Sequence, residues 1–339
     1  MPGLRAFCLA GLQSAGLAVA LGLLAAGSAV AQSETPARVS AGQNLTIRLT
    51  AKLSATHTPL LVARERGYYA AEGLQVEFSD ANPAAAMQVI ASGGEPIGYG
   101  SAIEVAEAVS GGRPVIMVAV YIPKMPLALV SFPDVPLRTP KDLEGKKLGL
   151  RPDELLASIL IPFAKINDVA LSNVTTLQLP ADRLESQFAA REIDVLPALT
   201  YESLPALEKR LGVKFNVLRV ADFDLVLLDQ GFFVNQEFAK RQPDTVKKLL
   251  RASAKGYADT LKDPVAALEI ATKYLTGADP ELVGAQLRAA LQAGQIPSDK
   301  PFGWQNEAQW RGNVDLLKTV GRIKEAKELN FYFTNDFLE

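Results

Sequence analysis

The chain has 339 residues, of which 48% are hydrophobic and 21% are charged. This composition is typical of a globular protein with a sizeable core and excludes an intrinsically disordered chain. The length predicts about two domains. The 35 Lys and Arg residues nearly balance the 37 Asp and Glu residues, giving a net charge of −2 without any basic block. Nucleic acid is therefore not expected as a partner.

The N-terminus has the pattern of a cleaved secretory signal. Arg5 is the single charge ahead of the cleavage region, and residues 6–26 are rich in alanine, leucine, glycine and valine. The run ends in Ala29-Val30-Ala31, a small-x-small cleavage sequence, which disfavours a transmembrane anchor. We predict a signal peptide over residues 1–31, cleaved after Ala31, and a periplasmic location. A polar, flexible lead-in is predicted over residues 32–44.

The single cysteine, Cys8, lies inside this predicted signal. The mature chain would then contain no disulfide, no thiolate metal site and no cysteine nucleophile. Cys8 is also far from the predicted cleavage point, which disfavours a lipid anchor. A large exported protein without disulfides suits the periplasm of a Gram-negative cell, because its size alone supplies the core.

Strands and helices alternate from Leu45 onward, which predicts a parallel α/β sheet with helices on both faces. Apolar or alternating runs indicate strands, and helical spacing of apolar residues indicates helices. Thr58-Pro59 is typical of a helix N-cap followed by proline in the first turn. The elements predicted first are strand 45–51, helix 60–69, strand 74–78, helix 84–91, segment 96–100 with helix 102–109, and strand 114–120.

A second α/β unit follows. Leu127–Ser131 predicts a strand that leads out of the first unit, and prolines then mark a turn. The next predicted elements are strand 148–150, helix 154–166, strand 175–179, helix 183–190, strand 195–199, helix 202–211 and strand 215–220. From residue 231 the pattern is mainly helical, with helices over 244–261, 264–274, 280–291 and 307–320. One face of the helix over 244–261 carries Val246, Leu249, Leu250, Ser253, Tyr257 and Leu261.

These elements predict two α/β lobes joined by two hinge strands. Lobe 1 is assigned residues 45–128 and 226–339, and lobe 2 residues 129–225. Open α/β sheets bind ligands beyond the carboxyl ends of their strands. Two such edges that face each other form a cleft that can close on a small molecule.

The signatures of catalysis are missing from the sequence. It has no GxSxG, Walker-type or GxGxxG motif. His57 is the single histidine, so a site with two or more His or Cys ligands for zinc is impossible. We therefore predict a protein that is not an enzyme and needs no metal or cofactor.

Polar residues occupy successive strand-to-helix junctions of lobe 1. His57 and Thr58 lie at the first, Asn82 at the second and Ser101 at the third. Helix N-termini offer unpaired N–H groups, which can orient a solute. Plain helix capping explains each of Thr58, Asn82 and Ser101 equally well. Their shared position favours a ligand site for the group.

Lobe 2 carries its own candidates. Arg151 can meet an anionic or carbonyl group, or it can pair with Asp153, a further candidate, or with Glu154. Tyr201 can stack on an aromatic ring, and Glu202 can accept hydrogen bonds from amino groups, unless the two merely begin a helix. Tyr121, after the last strand of lobe 1, is another candidate for stacking or a residue of the rim.

Several segments together resemble the periplasmic solute-binding proteins related to thiamine-pyrimidine synthases, and more distantly the sulfonate, taurine and nitrate binding proteins. The match covers nearly all of the mature chain. It rests on residues 57–69 with 72–74, 98–101, 140–149, 220–223, 304–310 and 333–338. The resemblance implies a type II periplasmic binding fold and delivery of the solute to an ABC permease with its ATPase. We expect a monomer.

The pyrimidine branch of this family further implies an aromatic, amino-bearing ligand held by stacking and a carboxylate. Tyr201-Glu202 falls where that branch carries a Y-x-N-E-like segment, and His57 matches its loop histidine. Two departures matter. Thr50-Ala51 replaces the Asp-Trp pair that usually precedes the histidine, which removes a stacking surface. Residues 224–234 contain no cysteine, although the eukaryotic synthases carry a cysteine cluster there.

The leading hypothesis is a binding protein for a small heteroaromatic solute such as a thiamine-pyrimidine precursor. The alternatives are a sulfonate- or nitrate-type anion binder, favoured by Arg151, and a thiamine-pyrimidine synthase-like enzyme, disfavoured by the missing cysteines. A sensing module that docks on a membrane receptor would have the same cleft and differ in its partner.

Overall fold

The computed structural model describes residues 42–294, 297 and 299–339. The predicted signal peptide and most of the predicted lead-in lie outside these residues. The first strand begins at Gln43, inside the predicted lead-in. The strands are β1 (Gln43–Leu49), β2 (Leu74–Asp80), β3 (Ile97–Ser101), β4 (Val115–Val120), β5 (Leu127–Ser131), β6 (Lys147–Leu150), β7 (Thr175–Gln178), β8 (Val195–Leu199), β9 (Asn216–Arg219) and β10 (Gln230–Asn235).

Helices separate the strands and form most of the C-terminal part. They are α1 (Thr58–Glu65), α2 (Tyr68–Ala71), α3 (Pro83–Ala91), α4 (Ala102–Ser110), α5 (Leu155–Ile166), α6 (Ala181–Ala189), α7 (Ser203–Leu211), α8 (Gln236–Arg241), α9 (Pro243–Lys262), α10 (Pro264–Tyr274), α11 (Pro280–Ala293) and α12 (Glu307–Thr319). Within the described part of the chain, none of them combines the length and apolar character needed to cross a bilayer.

The first sheet has the strand order β2-β1-β3-β10-β4. Strand β1 runs parallel to both β2 and β3, as predicted, but β10 is antiparallel to β3 and β4. The prediction of a parallel sheet is therefore confirmed for β1, β2 and β3 and was wrong for β10. The reason is topological: the chain leaves the sheet at the carboxyl end of β4 and returns at the same edge, so the returning strand must run the opposite way.

The second sheet repeats this arrangement in the order β7-β6-β8-β5-β9. Strand β6 is parallel to β7 and β8, whereas β5, which enters from the first sheet, is antiparallel to β8 and β9. The predicted boundary between residues 128 and 129 falls inside β5. All of β5 pairs within the second sheet rather than leading out of the first.

Two crossovers, residues 121–126 and 220–229, connect the sheets. Their backbones are hydrogen-bonded to each other: Asp229 donates to the Ile122 carbonyl (3.0 Å) and Met125 donates to the Leu227 carbonyl (2.6 Å). Two short paired segments of this kind form a hinge between the two sheets.

The predicted helix over 60–69 is divided into two. Gly67 adopts a left-handed conformation (φ 72°), which ends α1 and begins α2 at Tyr68. The amphipathic face predicted for residues 244–261 is confirmed in α9, where Val246, Leu249, Leu250, Ser253 and Tyr257 are buried. Leu261, assigned to the same face, is 50% exposed because it lies at the end of the helix.

Candidate functional site

The carboxyl edges of the two sheets approach each other beside the crossovers. Tyr201 follows β8 of the second sheet, and its hydroxyl donates to Asp229 Oδ2 (2.7 Å), which lies just ahead of β10 in the first sheet. Both side chains are buried. The Glu202 carboxylate also acts on Asp229 electrostatically. The residues that follow β8 therefore face the first sheet across the cleft.

His57 and Thr58 lie beneath the surface at the start of α1. The Ser54 backbone N–H donates to His57 Nδ1 (3.1 Å), and the imidazole packs edge-on against Tyr99. Burial lowers the pKa of His57 to about 4, so the ring is neutral at physiological pH. The prediction of Thr58 as the N-cap of the first helix was wrong by one residue, since His57 is the N-cap of α1 and Thr58 is its first residue. The Thr58 hydroxyl donates to the Ala55 carbonyl (2.7 Å) instead of accepting from a helix N–H. In this conformation both side chains make hydrogen bonds within the loop that precedes α1 and stabilise it.

Asn82 and Ser101 are helix N-caps. Asn82 Oδ1 accepts from the Ala85 N–H (2.9 Å), and Ser101 Oγ accepts from the Ile103 N–H (3.2 Å). Asn82 also borders a surface pocket of about 530 Å³, whose lining comprises Thr50, Ala51, Lys52, Asp80, Ala81, Asn82 and Pro83. This pocket lies at the carboxyl ends of β1 and β2. Capping and solute contact are compatible for Asn82.

Tyr121 is fully buried. Its ring packs against the rings of Tyr257 (centroids 4.6 Å apart) and Phe302 (4.8 Å). An aromatic solute could reach neither face of the ring without displacing these neighbours. The structure therefore assigns Tyr121 to the core and not to the rim.

Arg151 and Asp153 follow β6 and are close to each other. The Arg151 guanidinium pairs with Asp153 (4.0 Å) and Glu154 (3.7 Å). Its side chain is 46% exposed, so each ion pair is weak. Arg151 thus faces two acidic groups of its own loop, which offset its attraction for an anion.

Glu202 is exposed and directly precedes α7, whereas Tyr201 is 3% exposed. Gln286 of α11 donates to the backbone carbonyl of Glu202 (3.0 Å). This hydrogen bond does not involve the Glu202 carboxylate. Tyr201 packs in a small apolar cluster with Ile122 and Ala290. Tyr201 thus contacts the first sheet through its hydroxyl and offers no free ring face in this conformation.

Three polar residues at the same junction were missed by sequence reasoning: Glu104, Asp229 and Gln230. Burial raises the pKa of Glu104. Burial, with smaller contributions from the Glu104 and Glu202 carboxylates, raises the pKa of Asp229 to about 7, although the Tyr201 hydrogen bond opposes this. No motif marks these residues, because Asp229 and Gln230 enter the cleft only through the antiparallel return of β10.

A groove of about 1510 Å³ lies on the hinge side. None of the nine candidate residues lines it. Its walls come from both crossovers and from α7, β9, α11 and α12, and they include Met125, Glu208, Arg219, Asp222, Arg288 and Trp304. The groove has nearly balanced charge, so it does not indicate a ligand class.

Over residues 42–294, 297 and 299–339, no three His, Cys, Asp or Glu side chains are grouped so that they could hold an ion.

Residues 54–267, more than half of the chain, match the protein family described as NMT1/THI5 like. The chain belongs to this family. The resemblance drawn from the sequence motifs is thus confirmed. Members of the family include both binding proteins and enzymes.

Three relatives are similar over most of their length. The riboflavin-binding protein RibY of Chloroflexus aurantiacus is 28% identical, over 87% of this chain and 86% of its own. The formylaminopyrimidine-binding protein of Halalkalibacterium halodurans is 26% identical, over 84% and 88%. The 4-amino-5-hydroxymethyl-2-methylpyrimidine phosphate synthase of Legionella pneumophila is 22% identical, over 83% and 88%.

The fold is also found in solved structures. The periplasmic aliphatic sulphonate binding protein SsuA of Escherichia coli superimposes with a TM-score of 0.67 at 14% identity, covering 85% of this chain and 91% of that protein. The alkanesulfonate-binding protein SsuA of Xanthomonas axonopodis, bound to MOPS, gives 0.61 at 15% identity, covering 86% and 98%. The predicted fold class, a two-lobed periplasmic binding fold, is confirmed.

Proposed function

We propose that this chain is the periplasmic solute-binding component of an ABC importer, and that it captures a small heteroaromatic solute bearing N–H donors. The observation that carries the ligand class is the acceptor-rich junction of the cleft, where the Glu104 and Glu202 carboxylates both act electrostatically on the buried Asp229. Carboxylates accept hydrogen bonds and favour amino or protonated ring nitrogens. The names of the riboflavin- and formylaminopyrimidine-binding relatives support the same class of ligand.

Capture follows from the two-lobed architecture. A solute that contacts both strand edges favours the closed arrangement of lobe 1 (residues 45–128 and 226–339) and lobe 2 (129–225). We propose that a permease with its ATPase recognises this closed form. A monomer released from its signal after Ala31 suffices for this cycle.

A sulfonate- or nitrate-type anion is the second candidate. The similarity of the fold to the SsuA proteins favours it. Charge opposes it, because the cleft junction carries carboxylates and Arg151 already faces Asp153 and Glu154. An anion would have to compete with these groups for the guanidinium.

Binding is favoured over catalysis by the state of the histidine. His57 is buried and neutral, and its Nδ1 accepts from Ser54. The sequence beyond Cys8 has no cysteine to serve a metal or a thiolate. A synthase-like activity would need iron; with iron added, we expect no pyrimidine product from the purified protein.

A ligand screen tests the proposal. The mature protein is stripped of bound solute by unfolding and refolding, and its melting temperature is measured with aminopyrimidines, riboflavin, taurine, alkanesulfonates and nitrate. A ligand that binds only the folded protein raises its melting temperature. We expect a rise with heteroaromatic compounds. A rise with sulfonates or nitrate alone would replace this ligand class by the anion.

Glu202 provides a sharper test. Glu202→Gln removes the charge but keeps the shape, and we expect about 10-fold weaker binding of the amino-bearing ligand, because hydrogen bonds to charged groups are the stronger ones. Calorimetric titration measures the change. The matched control is Glu192→Gln, an exposed residue ahead of β8 at the opposite end of that strand. Equal affinities in the two variants would remove Glu202 from the site.

A further inference from the structure

A chain of hydrogen bonds links the two sheets at the cleft junction. Gln230, the first residue of β10, donates from Nε2 to Tyr201 Oη (3.2 Å). Tyr201 Oη donates in turn to Asp229 Oδ2 (2.7 Å). Gln230 lies opposite Ser101 in the first sheet, at one of the junctions predicted to meet the solute. These two hydrogen bonds therefore join Tyr201, which follows the second sheet, to Asp229 and Gln230 of the first.

The direction of these bonds determines how the Gln230 amide is oriented. An ionised carboxylate only accepts, and a tyrosine hydroxyl has one proton to give. When Tyr201 gives its proton to Asp229, it can only accept from Gln230. The amide must then present its NH₂ group to Tyr201 and turn its oxygen away.

The amide oxygen of Gln230 has no partner of its own. Among the described residues, Gln230 Oε1 and Tyr121 Oη are the buried side-chain polar atoms that lack a hydrogen bond. Tyr121 is enclosed by the aromatic rings of lobe 1, whereas Gln230 is partly exposed and lies beside the second crossover. An unpaired buried acceptor is unfavourable and rare, and a bound N–H group would satisfy it.

We propose that Gln230 is a specificity-determining residue of the solute site: its Oε1 accepts a hydrogen bond from a ring or exocyclic N–H of the solute. Tyr201 and Asp229 are positioning residues that hold the amide in this orientation. This inference rests on the proposed function, because it requires a heteroaromatic solute in the cleft. Opening at the hinge gives the solute access to the amide, and closure restores the contact between Tyr201 and Gln230.

Asp229 makes the orientation dependent on pH. Five titratable groups from different elements interact with it electrostatically: Glu104 of α4, Glu202 ahead of α7, Tyr201 after β8, Tyr99 of β3 and Tyr257 of α9. No lysine, arginine or histidine among the described residues forms an ion pair with it. Burial raises the pKa of Asp229 to about 7. Once protonated, the carboxyl can donate to Tyr201, which frees the amide to turn.

Matched pairs of probes test the proposal. One pair is riboflavin and 3-methylriboflavin, which differ in a single ring N–H. The other is 4-amino-5-hydroxymethyl-2-methylpyrimidine and its analogue with methyl in place of the amino group. For the pair that binds, we expect the N–H member to bind about 10-fold more tightly at pH 8, because its analogue leaves Gln230 Oε1 unpaired. The preference should shrink at pH 5.5; the flavin pair suits this series, since its N–H does not ionise in that range.

Variants assign the preference to its residues. Gln230→Met keeps the length of the side chain but removes the acceptor, and its affinity ratio should fall to about 1. Tyr201→Phe keeps Gln230 but frees its amide, so the ratio should fall and lose its pH dependence. Gln88→Met, at an exposed position of α3, is the control and should leave the affinity ratio and its pH dependence unchanged. If Gln230→Met fails to fold, the affinity ratio and pH profile of Tyr201→Phe test the proposal instead.

The outcomes separate the two proposals. Binding of heteroaromatic probes without preference for the N–H member, or a preference retained in Gln230→Met, overturns the role of Gln230 alone. An unchanged pH profile in Tyr201→Phe overturns the positioning role. Binding of sulfonates or nitrate by a protein that ignores all four probes overturns the proposed function, and this inference falls with it.

Discussion

Replacement of Gly256 by alanine is expected to lower the free energy of unfolding by about 2 kcal/mol or more, because the new methyl group overpacks a helix pair. Gly256 lies in α9 where this helix crosses α1. A Cβ there would lie 2.7 Å from Ala63 Cβ and still closer to the Pro59 carbonyl oxygen. The carbonyl belongs to the backbone of α1 and can move only with the helix.

Displacement of α1 would also affect the cleft, since this helix starts directly after His57. Urea unfolding measures the change, and thermal unfolding should show a midpoint lower by about 5 °C. Gly312→Ala is the control: Gly312 lies in α12 with nothing within 4 Å of the added methyl group. There, alanine should stabilise the helix by up to about 1 kcal/mol. Equal midpoints for the two variants would contradict the close approach of α1 and α9.

Ionisation of Asp229 is expected to lower the free energy of unfolding of the native protein by about 3 kcal/mol between pH 5 and pH 8. Asp229→Asn is expected to remove this loss. The pKa of Asp229 is raised from 3.8 to about 7, chiefly by burial. Between these values the folded protein holds a proton that the unfolded chain releases. The stability contributed by this group is therefore complete below pH 3.8 and is lost as the pH rises towards 7.

Urea unfolding of both proteins at pH 5 and pH 8 measures this difference. The comparison between variants is needed because His57 acts in the opposite direction: its pKa falls from 6.5 to about 4, so its contribution is lost as the pH falls through that range. Asp315→Asn, on the exposed face of α12, is the control and should show the native pH dependence. The same dependence in Asp229→Asn would mean that Asp229 is ionised in the folded protein at pH 5.

Helix starts were among the features that local sequence could predict. Asn82 and Ser101 cap α3 and α4 as their positions indicated, because a cap depends on the few residues that follow it. The break of the first helix was missed, although Gly67 is the residue that permits it. The sequence does not distinguish a glycine that ends a helix from one inside a helix, because the two differ in their backbone angles.

The candidate site was predicted only in part. Tyr201 and Glu202 were predicted as candidates because a strand end and a helix start lie next to each other in sequence, and the structure places Tyr201 in contact with Asp229 of the first sheet. Tyr121 follows a strand in the same way, yet it is buried, since α9 and Phe302 cover it. Burial by residues distant in sequence has no local signal.

The sequence by itself determined the alternation of strands and helices and the family motifs. These depend on hydrophobic periodicity and residue identity, which are local properties. Only the tertiary structure decided that β5 and β10 run antiparallel to their neighbours, and that Asp229 and Gln230 meet Tyr201 across the cleft. The physical reason is that strand direction and contact between lobes depend on where the two crossovers enter each sheet, and no short segment of the chain encodes that position.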